Sequence, residues 1–297
     1  MPPRSPLPVI VNVAGGAAGR AGAALGDQLT SAFEAAGSPI ALELVEGDKL
    51  EAALARHSAA PRVVVGGGDG TLATAATALA KRNGELAILP LGTRNHLARQ
   101  LDIPLDLAEA AKLAVMGRAD RIDLGAAEDR VFVNNLSVGA YVDLVRAREA
   151  SPLPKLLATV PATWRTLRKL RSRSFELILD GARRSIRTPL LFVGNNRYEV
   201  EEGNPGERTS LDDGLLSVYA IAPLPRTALL GAALRTLIGK PRMHRDFVLD
   251  DTAHELRIEG PGARIEIALD GERCRFDLPL TIRIRPQALA VVTPESN

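Results

Sequence analysis

The sequence predicts an α/β domain followed by a mostly antiparallel β domain. Two observations carry this expectation. In the first 125 residues short, uniformly apolar runs alternate with alanine-rich helical stretches, the pattern of parallel strands covered on both faces. After about residue 126 strand follows strand, with Asp180-Gly181 and Asp270-Gly271 as hairpin-turn dipeptides between them.

Taken in order, PVIVNVA (8–14) reads as the first strand and 19–36 as an alanine-rich helix that stops at Gly37. IALELVE (40–46) is the second strand, with a helix over 48–57. RVVVGG (62–67) is the third, with a helix over 72–82, and LAILPLG (86–92) is the fourth, with a helix over roughly 94–100. Asp106 has the chemistry of an N-cap, and Leu107, Ala110, Ala111, Ala114 and Val115 follow at helical spacing. In the second half the strands are 131–139, 175–180, 185–195, 215–222, 254–260, 263–270 and 279–286, with helical segments over 153–172 and 225–238. Ile265, Ile267 and Leu269 alternate as a half-buried strand requires. The run 288–294 suits either domain. The boundaries expected are 1–126 and 127–286.

Composition narrows the class. The 297 residues are 46% hydrophobic and 24% charged, as in a globular protein with a sizeable core. Lys+Arg 37 against Asp+Glu 35 leaves +2, no general electrostatic ground for binding nucleic acid. A single cysteine, Cys274, excludes an intrachain disulfide framework and suits a reducing compartment. Asn12 and the glycines after it interrupt the first apolar run, so it reads as a strand rather than a signal peptide. No stretch reaches the roughly 18 apolar residues of a membrane span. A cytoplasmic protein is expected, with contact at the inner membrane surface as an addition.

Two loops carry chemistry. VVVGGGDGT (63–71) runs a buried strand into glycines and then a helix, which lets backbone N–H groups converge on an anion at a helix N-terminus. It is not a P-loop, because Thr71 and Leu72 rather than Lys-Ser/Thr follow Gly70, and it lacks the G-x-G-x-x-G spacing of a dinucleotide fingerprint. The alternative is a tight turn with Asp69 or Thr71 as a helix cap. LPLGTRNHLAR (89–99) repeats the arrangement some 20 residues on, and two such strand ends suit a phosphate chain held from both sides, with Thr93 and Asn95 as donors.

GGGDGT (66–71) followed by PLGTRNHLAR (90–99), and then IDLG (122–125), NNLSVG (134–139), LDDGLLSV (211–218) and LDGE (269–272), resembles the bacterial diacylglycerol kinase-like lipid kinases, relatives of sphingosine and ceramide kinases. The matches run through nearly the whole chain. The resemblance implies a Rossmann-like nucleotide domain and a C-terminal β-sandwich with the active site in the cleft between them, and a last strand (287–297) that returns to the first domain. The sequence departs from the family in having Val13 after Asn12, Arg94 where glycine is common and His96 in place of an acid.

The resemblance also implies roles. Asn12, Gly66, Gly67, Gly68, Asp69, Gly70, Thr71, Thr93 and Asn95 would hold ATP, with Asp69 on the nucleotide or on a metal. Glu272, with Asp270 beside it, would be the catalytic proton acceptor. A Mg²⁺ ion would take the Asp213 side chain and the carbonyls of Ser210 and Leu215, oxygen donors suited to a hard cation, with Asp123 joined through water. The bland alternatives are that Asp270-Gly271 and Asp212-Asp213-Gly214 are merely turns.

His57, His96, His244 and His254 have no metal-ligand spacing, which gives no zinc site, and Cys274 reads as a packed thiol. The segment 153–175 sets Arg165, Arg168, Lys169, Arg171 and Arg173 beside Leu156, Leu157, Trp164, Leu167 and Leu170. It is either a surface helix facing an anionic bilayer, through 153–173, or a solvated helix packed on the second domain. The function expected is therefore an ATP- and Mg²⁺-dependent kinase acting on a lipid hydroxyl, diacylglycerol- or sphingoid-like. A soluble-substrate kinase of the NAD kinase type and a non-catalytic nucleotide-binding regulator are the alternatives, and a homodimer is kept as an option.

Overall fold

A computed structural model describes residues 5–14, 18, 24–93, 95–139, 172–198, 208, 210–223 and 247–294. The chain divides into two compact units, Met1–Leu124 with Gln287–Asn297, and Gly125–Pro286. The helices expected over 153–172 and 225–238 fall outside the described residues, as does Arg94.

In the first unit the strands are β1 (Leu7–Asn12), β2 (Ile40–Val45), β3 (Arg62–Gly67), β4 (Glu85–Pro90) and the C-terminal part of β16 (Leu280–Thr293), in the spatial order β2-β1-β3-β4-β16. All four pairings are parallel, with Val9 opposite Val64, Arg62 opposite Glu85 and Ala290 opposite Glu85. The helices are α1 (Ala24–Ala35), α2 (Leu50–Arg56), α3 (Asp69–Ala80), α4 (His96–Gln100) and α5 (Leu107–Met116). Strand side chains alternate between two layers. Val9, Val11, Val64, Ala87 and Leu89 pack with Leu25, Leu29 and Phe33 of α1 and Ala110, Ala111 and Ala114 of α5, while Ile10, Val63, Val65 and Ile88, equally buried, turn to the face that α2 and α3 cover.

Local chemistry explains the boundaries. Asp106 caps α5 as expected, its Oδ1 accepting the N–H groups of Ala108 (3.0 Å) and Glu109 (3.1 Å). At the other end of α5 the Arg62 guanidinium donates to the carbonyls of Ala114 (2.9 Å) and Gly117 (3.0 Å), so a cation sits where the helix dipole is negative. α3 starts at Asp69, three residues before the expected start, so Gly70 and Thr71 already lie in its first turn.

The second unit is a β-sandwich. One sheet has the order β12-β11-β10-β7-β14-β15, made of β7 (Asn135–Gly139), β10 (Leu190–Asn195), β11 (Leu216–Ile221), β12 (Phe247–Ala253), β14 (Arg264–Leu269) and β15 (Glu272–Asp277). The other contains the first part of β16, then β13 (Glu255–Glu259), β8 (Arg173–Leu179) and β9 (Ala182–Thr188) as its edge. The pairings are antiparallel. Leu136, Val138, Val193 and Val218 of one sheet meet Leu177, Leu256, Ile258 and Ile282 of the other in one core.

Three expected strands are corrected. The run 131–139 breaks after Phe132, where β6 (Arg130–Phe132) ends and a turn at Val133 and Asn134 begins. The run 185–195 divides at Pro189, which has no N–H for a ladder. The runs 279–286 and 288–294 are one strand, β16, despite Pro286 and the positive φ of 50° at Gln287. Strands β5 (Arg118–Ala127) and β12 were not expected; their polar residues, Arg118, Asp120, Arg121, Asp250 and Asp251, hide the apolar alternation.

Candidate active site

In the first unit the strand order 2-1-3-4 reverses direction between β1 and β3, the topological switch point at which open α/β sheets leave a crevice beyond the strand ends. Asn12 ends β1, and Gly66, Gly67 and Gly68 lie at the end of β3. Two of the glycines in these loops are demanded by packing. A Cβ on Gly66 would lie 2.9 Å from the Val11 side chain and 3.0 Å from that of Leu91. A Cβ on Gly92, in the second loop, would lie 2.4 Å from the Gly68 Cα, a backbone atom that cannot turn away. The absence of side chains thus lets the loops after β3 and β4 touch.

Gly68 is the N-cap of α3 and has no side-chain cap; the first intrahelical bond runs from the Leu72 N–H to the Gly68 carbonyl (3.1 Å). The capping alternative for Asp69 or Thr71 is therefore wrong. Asp69 instead accepts the Leu97 N–H (3.4 Å), joining the starts of α3 and α4, and the buried Thr71 hydroxyl accepts the Asn12 amide (3.0 Å). Asn12 in turn accepts the Ala14 N–H with its Oδ1 (3.0 Å).

Asn95 departs from its expected role as a donor to phosphate. It is buried, has φ 52°, accepts the Gly92 N–H (2.9 Å) and donates its two amide hydrogens to the carbonyls of Pro90 (3.0 Å) and Gly92 (3.1 Å). Its side chain is spent on holding the second loop in a left-handed turn. Thr93 and His96 are exposed beside it.

In the second unit Asp270-Gly271 is a hairpin turn with φ 46° and 86°, as both central residues of a type I′ turn require. Its carboxylate is fully engaged. One oxygen accepts the N–H groups of Asn134 (2.8 Å) and Asn135 (3.0 Å), and the other accepts that of Val133 (2.8 Å). Burial pushes the Asp270 carboxyl up from its ordinary value, and the three N–H groups and the Arg208 guanidinium pull against it. Asp270, expected beside Glu272 as a catalytic group, is thus engaged with the backbone of 133–135. Glu272, two residues on, opens β15 and is exposed, and its carboxylate has no hydrogen bond or ion pair among the described residues. It is available.

Arg208 was not expected. It is buried, donates to the Val133 carbonyl (2.6 Å) and to Asn134 Oδ1 (3.1 Å), and lies 5.7 Å over the Tyr198 ring. A lone arginine in GERTS carries no motif that could have revealed it. Ser210, Asp213 and Leu215 share the loop after it. Asp213 is exposed, the Ser210 hydroxyl pairs with Asp212, and the Leu215 carbonyl accepts the Asn196 N–H (2.9 Å). One carboxylate and two carbonyls are hard oxygen donors, and their chemistry fits a Mg²⁺ ion with retained water. Asp123 lies in the other unit, fully buried, where it accepts the Gln287 N–H (2.7 Å).

The diacylglycerol kinase catalytic domain family matches residues 6–127, and the YegS C-terminal NAD kinase β-sandwich-like domain matches 137–293. A protein of Pseudomonas putida named "Probable lipid kinase YegS-like" is 37% identical over 183 residues, 60% of each chain. One of the same name from Pseudomonas aeruginosa is 32% identical over 247 residues, 79% of this chain and 77% of the other. A crystal structure of a diacylglycerol kinase from Bacillus anthracis shares the fold, with a TM-score of 0.70 at 21% identity, over 98% of this chain and 97% of that one. Two family domains take in most of the chain in the order its two units run, and a relative matches across both. The chain therefore belongs to the YegS-like lipid kinase family, whose first domain is the diacylglycerol kinase catalytic domain.

Proposed function

We propose that this protein transfers the γ-phosphoryl group of ATP to the hydroxyl of a lipid, diacylglycerol- or sphingoid-like. The observation that carries the nucleotide half is the uncapped N-terminus of α3 at the switch point, approached by a second glycine loop. Its first N–H groups have no intrahelical acceptor, and the helix dipole favours an anion there. Asp69 in that first turn would repel a triphosphate by itself, so a divalent cation belongs with the nucleotide. Mg²⁺ supplies charge neutralisation on the phosphates when bound. Ser210, Asp213 and Leu215 would hold an ion in the other unit.

The lipid half rests on the family and on Glu272. Its carboxylate takes the proton of the acceptor hydroxyl as that oxygen bonds to the γ-phosphorus and the bond from phosphorus to the bridging oxygen of ADP breaks. Label transfer from γ-labelled ATP with Mg²⁺ tests the reading, with a lipid extract in mixed micelles and, separately, NAD as acceptors. Label in an organic-soluble product is the expected result, whereas label in NADP alone would replace this reading with a soluble-substrate kinase. Gly92→Ala should weaken ATP binding by at least ~10-fold, because the loops can no longer meet; an unchanged Kd measured by calorimetry would remove the glycine approach from nucleotide binding.

Contact with an anionic bilayer is part of the same proposal. Residues 165–187 carry eight of the 37 Lys+Arg and two of the 35 Asp+Glu, +6, so the remainder of the chain sums to −4. Of these, Arg173, Arg183, Arg184 and Arg187 are exposed on β8 and the edge strand β9. Basic side chains near an anionic leaflet contribute about 1 kcal/mol each. Changing Arg183, Arg184 and Arg187 together to Gln should reduce sedimentation with phosphatidylglycerol vesicles by roughly 10-fold or more; equal sedimentation would return β9 to the role of a charged, aggregation-resistant edge.

A further inference from the structure

The turn at 133–135 is held from both sides by charged residues distant in sequence. Asp270 takes its three N–H groups at 2.8 to 3.0 Å. Arg208 donates to the Val133 carbonyl and the Asn134 side chain, and the Tyr198 hydroxyl donates to the Asn134 carbonyl (2.9 Å). Asn195 adds a side-chain bond to the Val133 carbonyl (2.9 Å) and a backbone bond to that of Asn134 (2.9 Å). Four residues therefore fix one short turn that does not itself carry a reactive side chain.

The turn is connected to both chemical groups of this unit. Asp270 is joined through Gly271 to Glu272, and its own N–H donates to the Asn135 carbonyl (2.9 Å), so moving 133–135 moves the start of β15. Arg208 stands two residues before Ser210. Asn196, next to Asn195, binds the Leu215 carbonyl and lies near its N–H, so the loop 210–215 is tied to the same turn at both ends. Burying these groups is worthwhile only where they stay paired, since a buried polar group left without its partner is destabilising. The turn is thus over-determined, and connections run from it to both Glu272 and the loop 210–215.

We propose that Asp270 and Arg208 are positioning residues that clamp the 133–135 turn and so fix Glu272 relative to the loop 210–215. The proposal rests on Glu272 being the proton acceptor. Their substitution should then lower turnover of correctly folded enzyme while sparing nucleotide affinity, because ATP is held in the other unit. A shift of about 1 Å in a reacting group costs up to ~100-fold in rate.

The experiment measures kcat, ATP Kd and Tm for Asp270→Asn, Arg208→Met, the double variant, Tyr198→Phe and Glu272→Gln, with rates taken well below each Tm and referred to folded enzyme. The expected result is a kcat lower by ~10- to 100-fold for each single clamp variant, an ATP Kd within about twofold, and a double variant no slower than the worse single, since both act on one turn. Tyr198→Phe removes a single bond and covers the case in which the charged variants do not fold; a kcat fall of about two- to fivefold is expected. A wild-type kcat per folded molecule in the clamp variants, or in Tyr198→Phe if they do not fold, would make the clamp purely structural and overturn the proposal. If Glu272→Gln alone keeps wild-type turnover, the assignment of Glu272 fails instead, and the two failures are separated.

Discussion

The β-sandwich contains the same turn twice. Asp180-Gly181 joins β8 to β9 with φ 45° and 87°, and Asp270-Gly271 joins β14 to β15 with φ 46° and 86°. In both, the aspartate carboxylate reaches across to backbone N–H groups: His254 and Glu255 for Asp180, Val133, Asn134 and Asn135 for Asp270. The surroundings differ. At Asp180 burial works against ionisation, but the two N–H groups and the His254 side chain outweigh it and hold the carboxyl below its ordinary value. At Asp270 burial wins and the carboxyl is pushed up. The next residue along the chain differs too, Ala182 in one hairpin and Glu272 in the other. A dipeptide sets the turn; the neighbours set the state of its carboxylate.

The two hairpins should part most sharply at the residue after each turn. Glu272→Gln should lower turnover by about 10²- to 10⁴-fold, the range for loss of a general base, with Tm nearly unchanged, while Ala182→Ser should leave the rate as it is; a steady-state assay on both variants decides. At the aspartates the effect is on stability. Asp270→Ala leaves three backbone donors without their acceptor and should cost roughly 2–5 kcal/mol, whereas Asp180→Ala, at an exposed turn, should cost less than about 1 kcal/mol. Urea denaturation of the pair measures the difference, and equal midpoints would show the two turns to be equivalent. The smallest effect is in pH. Because the folded-state value of Asp180 is lowered, its contribution is complete above the ordinary 3.8 and drains away as pH falls below it. The Tm difference between wild type and Asp180→Asn should therefore narrow on acidification below pH ~4, and the difference for Asp270→Asn should not.

Much of the fold was legible because its signals are local. Apolar runs such as RVVVGG, the Asp106 cap and the Asp-Gly turns each depend on neighbouring residues. Part of what escaped depends on distant residues, and part on backbone conformation that composition does not show. Arg208 matters through Val133 and Asn134, which are more than 70 positions away. Asn95 has the composition of a phosphate donor, but its amide is consumed by Pro90 and Gly92 because the backbone there is left-handed. Asp270 and Glu272 look alike in LDGE; only the partners of Asp270 separate a carboxylate already engaged by three donors from one that is open. Pro286 should have ended a strand, and β16 passes through it.

The course of β16 also bears on how the protein is made. β4 is completed on its far side only when Ala290 and Val291 arrive to pair with Glu85 and Leu86. During synthesis roughly 200 residues separate these partners, which at about 5–20 residues per second leaves β4 an open edge for ten seconds or more. The nascent N-terminal half is then a template for wrong pairing, and the ribosome must finish the sandwich before the first sheet can close. Chaperone binding to the growing chain should accordingly concentrate on the interval between the emergence of β4 and that of β16.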